Sequence, residues 1–168
     1  MTVEVSSNSI GRKEEWKGIG DVVKAIELLH DLNIEIDFKV AFNRVDYDKY
    51  DFVVPNGDSE LADFYRSVDV IVAPGWYQLG AIHYPVIEAM ACGTAVITTG
   101  YYPANTDNAY IVPVKSPEDI SRCLIDIMNN PNLVKEKIKQ ALKDVNQFEW
   151  TNLGNNFEDI FLKYLKTK

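Results

Sequence analysis

Apolar positions along this chain switch repeatedly between a period of two and a period near 3.6. Val3 to Ile10 reads as a first strand. Residues 19–32 follow as a helix, with Val22, Ile26 and Leu29 on one face and Ala25, Leu28 and Leu32 beside them. Ile34, Ile36, Phe38, Val40 and Phe42 then alternate with polar residues, the pattern of a strand with one exposed face. Residues 43–57 read mostly as loop, with a short strand near Phe52–Val54. Asp58 or Ser59 is placed to cap a short helix carrying Leu61, Phe64 and Tyr65. Val68 to Ala73 is broken only by Asp69, as expected of a central parallel strand buried on both faces. A loop rich in glycine and aromatic residues runs from Pro74 to Tyr84. Pro85 opens the next helix and Gly93 closes it, the usual asymmetry of helix ends.

Two more strands are expected at Ala95–Thr98 and Ala109–Val112, and three helices then finish the chain. Ser116 caps the first, with Pro117, Glu118 and Asp119 in its opening turn. Asn130 and Pro131 open the second, whose apolar face carries Val134, Ile138, Ala141, Leu142 and Val145. The third follows Trp150 and aligns Leu153, Phe157, Ile160, Phe161 and Tyr164. No internal repeat, low-complexity tract or linker interrupts this order. The expectation is a single domain over residues 1–168: an α/β, Rossmann-like open sheet, mainly parallel, with helices on both faces and right-handed crossovers.

Composition narrows the classes. The 168 residues suit one domain, and 46% are hydrophobic, enough for a sizeable core. The formal charge is −8, with acids spread along the chain and no basic face, so no nucleic-acid partner is expected. Cys92 and Cys123 make no disulfide framework and read as buried, reduced thiols, as in a cytoplasmic protein. No apolar stretch approaches the roughly 18 residues that span a membrane. Met1 opens directly on strand-like residues without a signal-peptide pattern, which suggests a piece of a longer protein.

In such sheets ligands bind beyond the carboxyl ends of the strands, and two segments there carry candidate chemistry. In the first, a strand ends, the chain turns at Gly11, and Arg12 and Lys17 flank a loop that leads into a helix. A helix N-terminus already favours anions, and two cations would add charge-assisted donors suited to a diphosphate. The competing reading is a pair of solvated cations near Glu14 and Glu15. In the second segment, residues 85–92, Glu88 is the one polar side chain after Pro85. A carboxylate on an otherwise apolar helix needs partners. Two vicinal ribose hydroxyls would serve, and so would an internal donor such as a backbone N–H or a lysine. His83 sits just before this helix, among Tyr77, Gln78, Tyr84 and two glycines, and is a candidate for ligand contact. His30, at the edge of the first helix's apolar face, reads as structural.

Other signals fail. Gly18 and Gly20 begin like a dinucleotide fingerprint, but Val23 holds its last glycine position and the motif follows a loop. No G-x-x-x-x-G-K-[ST] run occurs. Two histidines and two scattered cysteines form no metal-ligand spacing. No metal and no cofactor is called for.

Together these segments resemble the C-terminal domain of GT-B-fold retaining glycosyltransferases, a group with an E-x7-E motif that includes sucrose synthase-like and bacterial polysaccharide enzymes. The matching residues are Gly11 and Arg12 with Lys17 and Gly18, then Ala62 to Tyr65 leading to Asp69–Pro74. The most specific match is EAMACGTAVIT at residues 88–98; residues 116–119 and 148–150 also fit. The resemblance implies one half of a GT-B fold and metal-independent transfer from a nucleoside diphosphate sugar, in polysaccharide or glycan synthesis. Arg12 and Lys17 would hold the diphosphate, Glu88 the ribose, and the loop before its helix the sugar. An N-terminal acceptor-binding domain would be a necessary partner, and the isolated domain would be inactive. The implied location is cytoplasmic, with membrane contact only through that absent domain.

The pattern departs from this group at the sugar-contacting loop. Its usual glutamate, eight positions before the one matched by Glu88, is here Gly80. Counting from Pro74 instead places Gln78 where the acid belongs, with two extra residues before Glu88, and His83 falls where glycine is usual. The donor-binding candidates are therefore Arg12, Lys17, Gln78, Gly80, His83 and Glu88, with no catalytic residue assigned. A non-catalytic nucleotide-sugar-binding or interaction module of the same fold is the alternative. A receiver-type signalling domain is disfavoured, because its strand-end aspartate is missing where Ala73 runs into Pro74.

Overall fold

A computed structural model describes residues 1–5, 15–42, 48–77 and 80–166. Six strands form one sheet: β1 (Thr2–Val5), β2 (Asp37–Ala41), β3 (Asp51–Val53), β4 (Val70–Ala73), β5 (Ala95–Thr98) and β6 (Tyr110–Ile111). Every pairing is parallel, and the order is β3-β2-β1-β4-β5-β6. The order reverses between β1 and β4, so the crevice beyond their carboxyl ends is the topological switch point. The helices are α1 (Ile19–Asp31), α2 (Gly57–Arg66), α3 (Tyr84–Ala91), α4 (Pro117–Asn129), α5 (Pro131–Val145) and α6 (Trp150–Lys166).

Strand alternation divides the core into two layers. Val70 and Val72 of β4 face one side, with Val22, Ala25, Ile26 and Leu29 of α1 and Ile120, Leu124 and Ile127 of α4. Ile71 and Ala73 face the other, with Tyr65 of α2, Val86, Ala89 and Met90 of α3, and Ala141 and Val145 of α5. Because both faces are covered, β4 is buried at all four positions, as its near-continuous apolar sequence requires. The expected open parallel sheet with helices on both sides is the fold observed.

Several local expectations need correction. The second strand begins at Asp37, not Ile34, because the end of α1 consumes the intervening residues. Asn33 adopts a left-handed φ of 59°, and the N–H groups of Asn33 and Ile34 donate to the carbonyls of His30 and Leu29. Phe42, at φ 64°, lies past the strand. Leu28 and Leu32 are exposed, since Val22, Ala25, Ile26 and Leu29 already fill the face against the sheet. Leu142 is likewise exposed on α5. Neither Asp58 nor Ser59 caps α2. Asn56 holds that position, and its backbone N–H donates to Glu60 Oε2 at 2.8 Å. Ser116 occupies the N-cap of α4, but its hydroxyl donates to the Asp119 carboxylate rather than accepting a backbone N–H.

The last helix differs from the rest. Helix α6 carries the predicted apolar stripe, yet Phe157, Ile160, Phe161 and Tyr164 are all exposed, and Trp150 is 89% exposed. Its contacts run mainly to the short 3-10 turn at residues 146–148. No helix among the described residues is long and apolar enough to cross a membrane.

Candidate functional site

The loops after β1 and β4 meet at the switch point. Gly18 is the hinge of this meeting: its φ is 75°, and a side chain there would place Cβ 2.3 Å from the Pro74 carbonyl oxygen. Only glycine accepts both the conformation and the approach. Two positions away on each loop, the Trp76 N–H donates to the Trp16 carbonyl at 2.8 Å. The Trp76 indole N–H donates to Asp21 Oδ2 at 2.7 Å, tying the β4 loop to the first turn of α1. Lys115 lies over the Trp76 ring at 4.2 Å. The loop after β5 braces the same region. Thr99 donates to the Gly75 carbonyl at 2.6 Å, and the Gly80 N–H to that of Gly100 at 2.9 Å.

Lys17 ends a 3-10 turn at the mouth of this crevice, with Nζ 5.6 Å from the centre of the Trp16 ring. His83 occupies the N-cap of α3 and stacks on Tyr101, ring centroids 4.4 Å apart. Its Nδ1 is buried with no hydrogen-bond partner among the described residues. Burial pushes the imidazole pKa down to about 4, and the nearby positive charge of Lys17 adds to the effect. His83 is therefore neutral at physiological pH, and Lys17 and His83 share one electrostatic neighbourhood. Arg12 and Gln78 lie outside the described residues.

Gly80 has a φ of 81°, a conformation that disfavours any side chain. The missing glutamate is thus accompanied by a backbone that a glutamate would strain. Gly80 contributes its N–H to the loop brace described above.

Glu88 lies five residues after His83, about 7.5 Å along the helix axis at 1.5 Å per residue. It is half-buried. Its internal partner is neither a lysine nor a backbone N–H but the hydroxyl of Tyr65, which donates to Oε2 at 3.0 Å. Burial raises the carboxyl pKa; the Tyr65 hydrogen bond opposes this, and Asp58 adds to it. His30 is exposed, with Nε2 3.8 Å from Glu35. Cys92 and Cys123 are free thiols, partly buried, and burial raises both pKa values.

Sequence reasoning did not single out a buried acid on the first strand. Glu4, in the middle of β1, is 2% exposed. Its Oε2 has no hydrogen-bond partner among the described residues. Burial drives its pKa up to about 8, against a backbone hydrogen bond with Ala41. Its place inside a two-sided core strand was the available signal. Among the described residues no cluster of His, Cys, Asp or Glu is suited to hold a metal ion.

A parallel sheet in this order, with its receptive crevice at the β1/β4 switch point, defines the class: a Rossmann-like open α/β domain. The glycosyl transferases group 1 family matches residues 9–130. The chain belongs to that family. An uncharacterized glycosyltransferase of Methanocaldococcus jannaschii is 26% identical over 172 residues, covering 90% of this chain and 43% of the relative. Sucrose-phosphate synthase from Thermosynechococcus elongatus superposes with a TM-score of 0.77 at 20% identity, covering 99% of this chain and 46% of that one. An Anabaena protein solved in complex with UDP-glucose superposes with a TM-score of 0.75 at 12% identity, covering 96% and 48%. The chain thus spans under half the length of these proteins.

Proposed function

We propose that this domain binds the donor, a nucleoside diphosphate sugar, for a retaining glycosyltransferase that builds a glycan or polysaccharide. The observation that carries the reading is the division of labour at the switch point. The cation of Lys17 and the positive dipole end of α3 suit a diphosphate. The Glu88 carboxylate, further along the same helix, repels phosphate but accepts from ribose hydroxyls. The Anabaena protein, whose UDP-glucose complex has the same fold, supports the ligand class. Arg12 joins Lys17 in this assignment, and Gln78 or His83, rather than an acid, is the residue assigned to the transferred sugar. A neutral His83 can donate from one ring nitrogen and accept at the other, which suits sugar hydroxyls.

An acceptor-binding domain, N-terminal in the whole protein, completes the site in this reading. The unburied apolar face of α6 supports a further partner surface, as does the added length of the relatives. Water exclusion and acceptor positioning need that second body. Residues 1–168 alone should therefore bind donor without transferring sugar, in a cytoplasmic setting. Calorimetry with UDP and UDP-glucose, paired with a transfer assay on the same sample, tests this. Sugar transfer by the purified chain would refute the two-domain account.

The altered loop favours a second reading. With Gly80 at a φ that would strain the usual glutamate, the domain would bind nucleotide sugar without catalysing transfer. Donor binding by a whole protein that never transfers sugar would favour it.

A further inference from the structure

Glu88 is held by a residue that neither the family assignment nor the donor-site reading uses. Tyr65 ends the buried face of α2 and is 4% exposed. Its ring packs beside Phe64 with centroids 6.0 Å apart. Its carbonyl accepts from Thr94 Oγ1 at 2.7 Å, a buried group just before β5. Backbone and ring are therefore both fixed, and the hydroxyl has one direction in which to point. It donates to Glu88 Oε2 at 3.0 Å. Oε1 of Glu88 carries no hydrogen bond among the described residues.

We propose that Tyr65 is a positioning residue for Glu88: it engages Oε2 and so presents Oε1 to the ligand hydroxyls. This rests on the donor-site reading of Glu88. A glutamate on a helix has three soft torsions, and a part-buried hydrogen bond to one oxygen removes much of that freedom before ligand arrives. Preorganisation of this kind favours binding because the ordering cost is already met in the free protein.

The hydroxyl also acts on the charge of the carboxyl. Burial favours the protonated form of Glu88, and Asp58 on α2 pushes the same way; the Tyr65 bond opposes both. The other charged or titratable groups facing this cluster are Cys92 at the C-cap of α3, Asp63 and Arg66 on α2, and Glu4 on β1, behind Tyr65. Burial and the surrounding acids hold the Tyr65 phenol far above its usual range, so it remains a donor throughout.

The test deletes one oxygen. Tyr65→Phe keeps the ring and its packing, and a melting curve checks the fold. The Glu88 carboxyl is followed by 13C NMR in ligand-free protein from pH 4 to 9. UDP binding is measured by calorimetry on wild type, Tyr65→Phe, Glu88→Gln and the double variant. The proposal expects the Glu88 midpoint to move to higher pH in Tyr65→Phe. It expects UDP affinity at pH 7 to fall about fivefold to tenfold, the usual worth of one such hydrogen bond. It expects the acid limb of binding to move upward, and no further loss when Tyr65→Phe is added to Glu88→Gln. A folded Tyr65→Phe with an unchanged Glu88 midpoint overturns the proposal, and so does a loss that adds fully to that of Glu88→Gln. If Glu88→Gln binds UDP like wild type, the ribose reading of Glu88 fails instead, whatever Tyr65→Phe does. Should Tyr65→Phe not fold, the wild-type protein still decides. The Tyr65 hydroxyl proton should be protected from exchange at pH 7; an unprotected proton contradicts the proposal.

Discussion

Glu4→Gln should make this domain more stable at pH 8 and leave it almost unchanged near pH 4.5. Glu4 is 2% exposed in the middle of β1, and burial raises its pKa from 4.5 to about 8. Between those values the folded protein keeps a proton that the unfolded chain has released. Stability therefore falls as pH rises from 4.5 to 8 and levels off above. At 1.36 kcal/mol per unit, the whole window is worth on the order of 5 kcal/mol. A glutamine has nearly the same shape, carries no charge at any pH, and can still accept from the Ala41 amide. Its variant should lose this slope. The assay is urea unfolding at pH 5, 6, 7 and 8, with the difference between variant and wild type plotted against pH. The difference cancels His83, whose lowered pKa makes stability fall as pH drops below its unfolded value. A gap that widens from pH 5 to pH 8 is expected. Two parallel lines would show that Glu4 is ionised in the fold and would refute the reasoning.

Gly18→Ala should destabilise the domain by at least about 2 kcal/mol in denaturant unfolding, through left-handed strain and contact with Pro74. NMR titration should keep the His83 ring neutral down to about pH 4, and Lys17→Met should move that midpoint upward; an unchanged midpoint would separate the two residues. On α6, Phe157→Gln with Phe161→Gln should leave the melting temperature nearly unchanged, because both side chains are exposed, whereas Ile120→Ala in the core should cost about 2–5 kcal/mol.

The sheet was legible because its strands are buried on both faces. Val68 to Ala73 cannot be anything but an interior strand when a turn and a Pro-opened helix follow it. Boundaries were harder, since they depend on backbone choices that periodicity does not record. Asn33 and Phe42 show this: each takes a left-handed φ and shortens the strand that the apolar alternation suggested. Capping of α2 was misplaced for a related reason, because Glu60 reaches back to the Asn56 amide and does the work expected of Asp58 or Ser59.

The site was legible in its polar exceptions. Glu88 stood out as one carboxylate on an apolar helix, and His83 as a ring beside a helix start. Tyr65 did not stand out, because a tyrosine at a core position looks like packing until its hydroxyl is seen to reach Glu88. Glu4 was lost inside a short strand-like run, where alternation suggests an outward residue but the second helical layer covers that face.

The central claim is that Lys17 and Glu88 hold different parts of one nucleoside diphosphate, and calorimetry on Lys17→Ala and Glu88→Gln tests it most directly. Both variants are titrated with UDP and with uridine. Lys17→Ala should weaken UDP by about 1.5–3 kcal/mol, less at high salt, and leave uridine nearly unchanged. Glu88→Gln should weaken both ligands, by roughly 1–2 kcal/mol for UDP. Equal losses of UDP and uridine in Lys17→Ala, or undiminished binding of both in Glu88→Gln, would contradict the account.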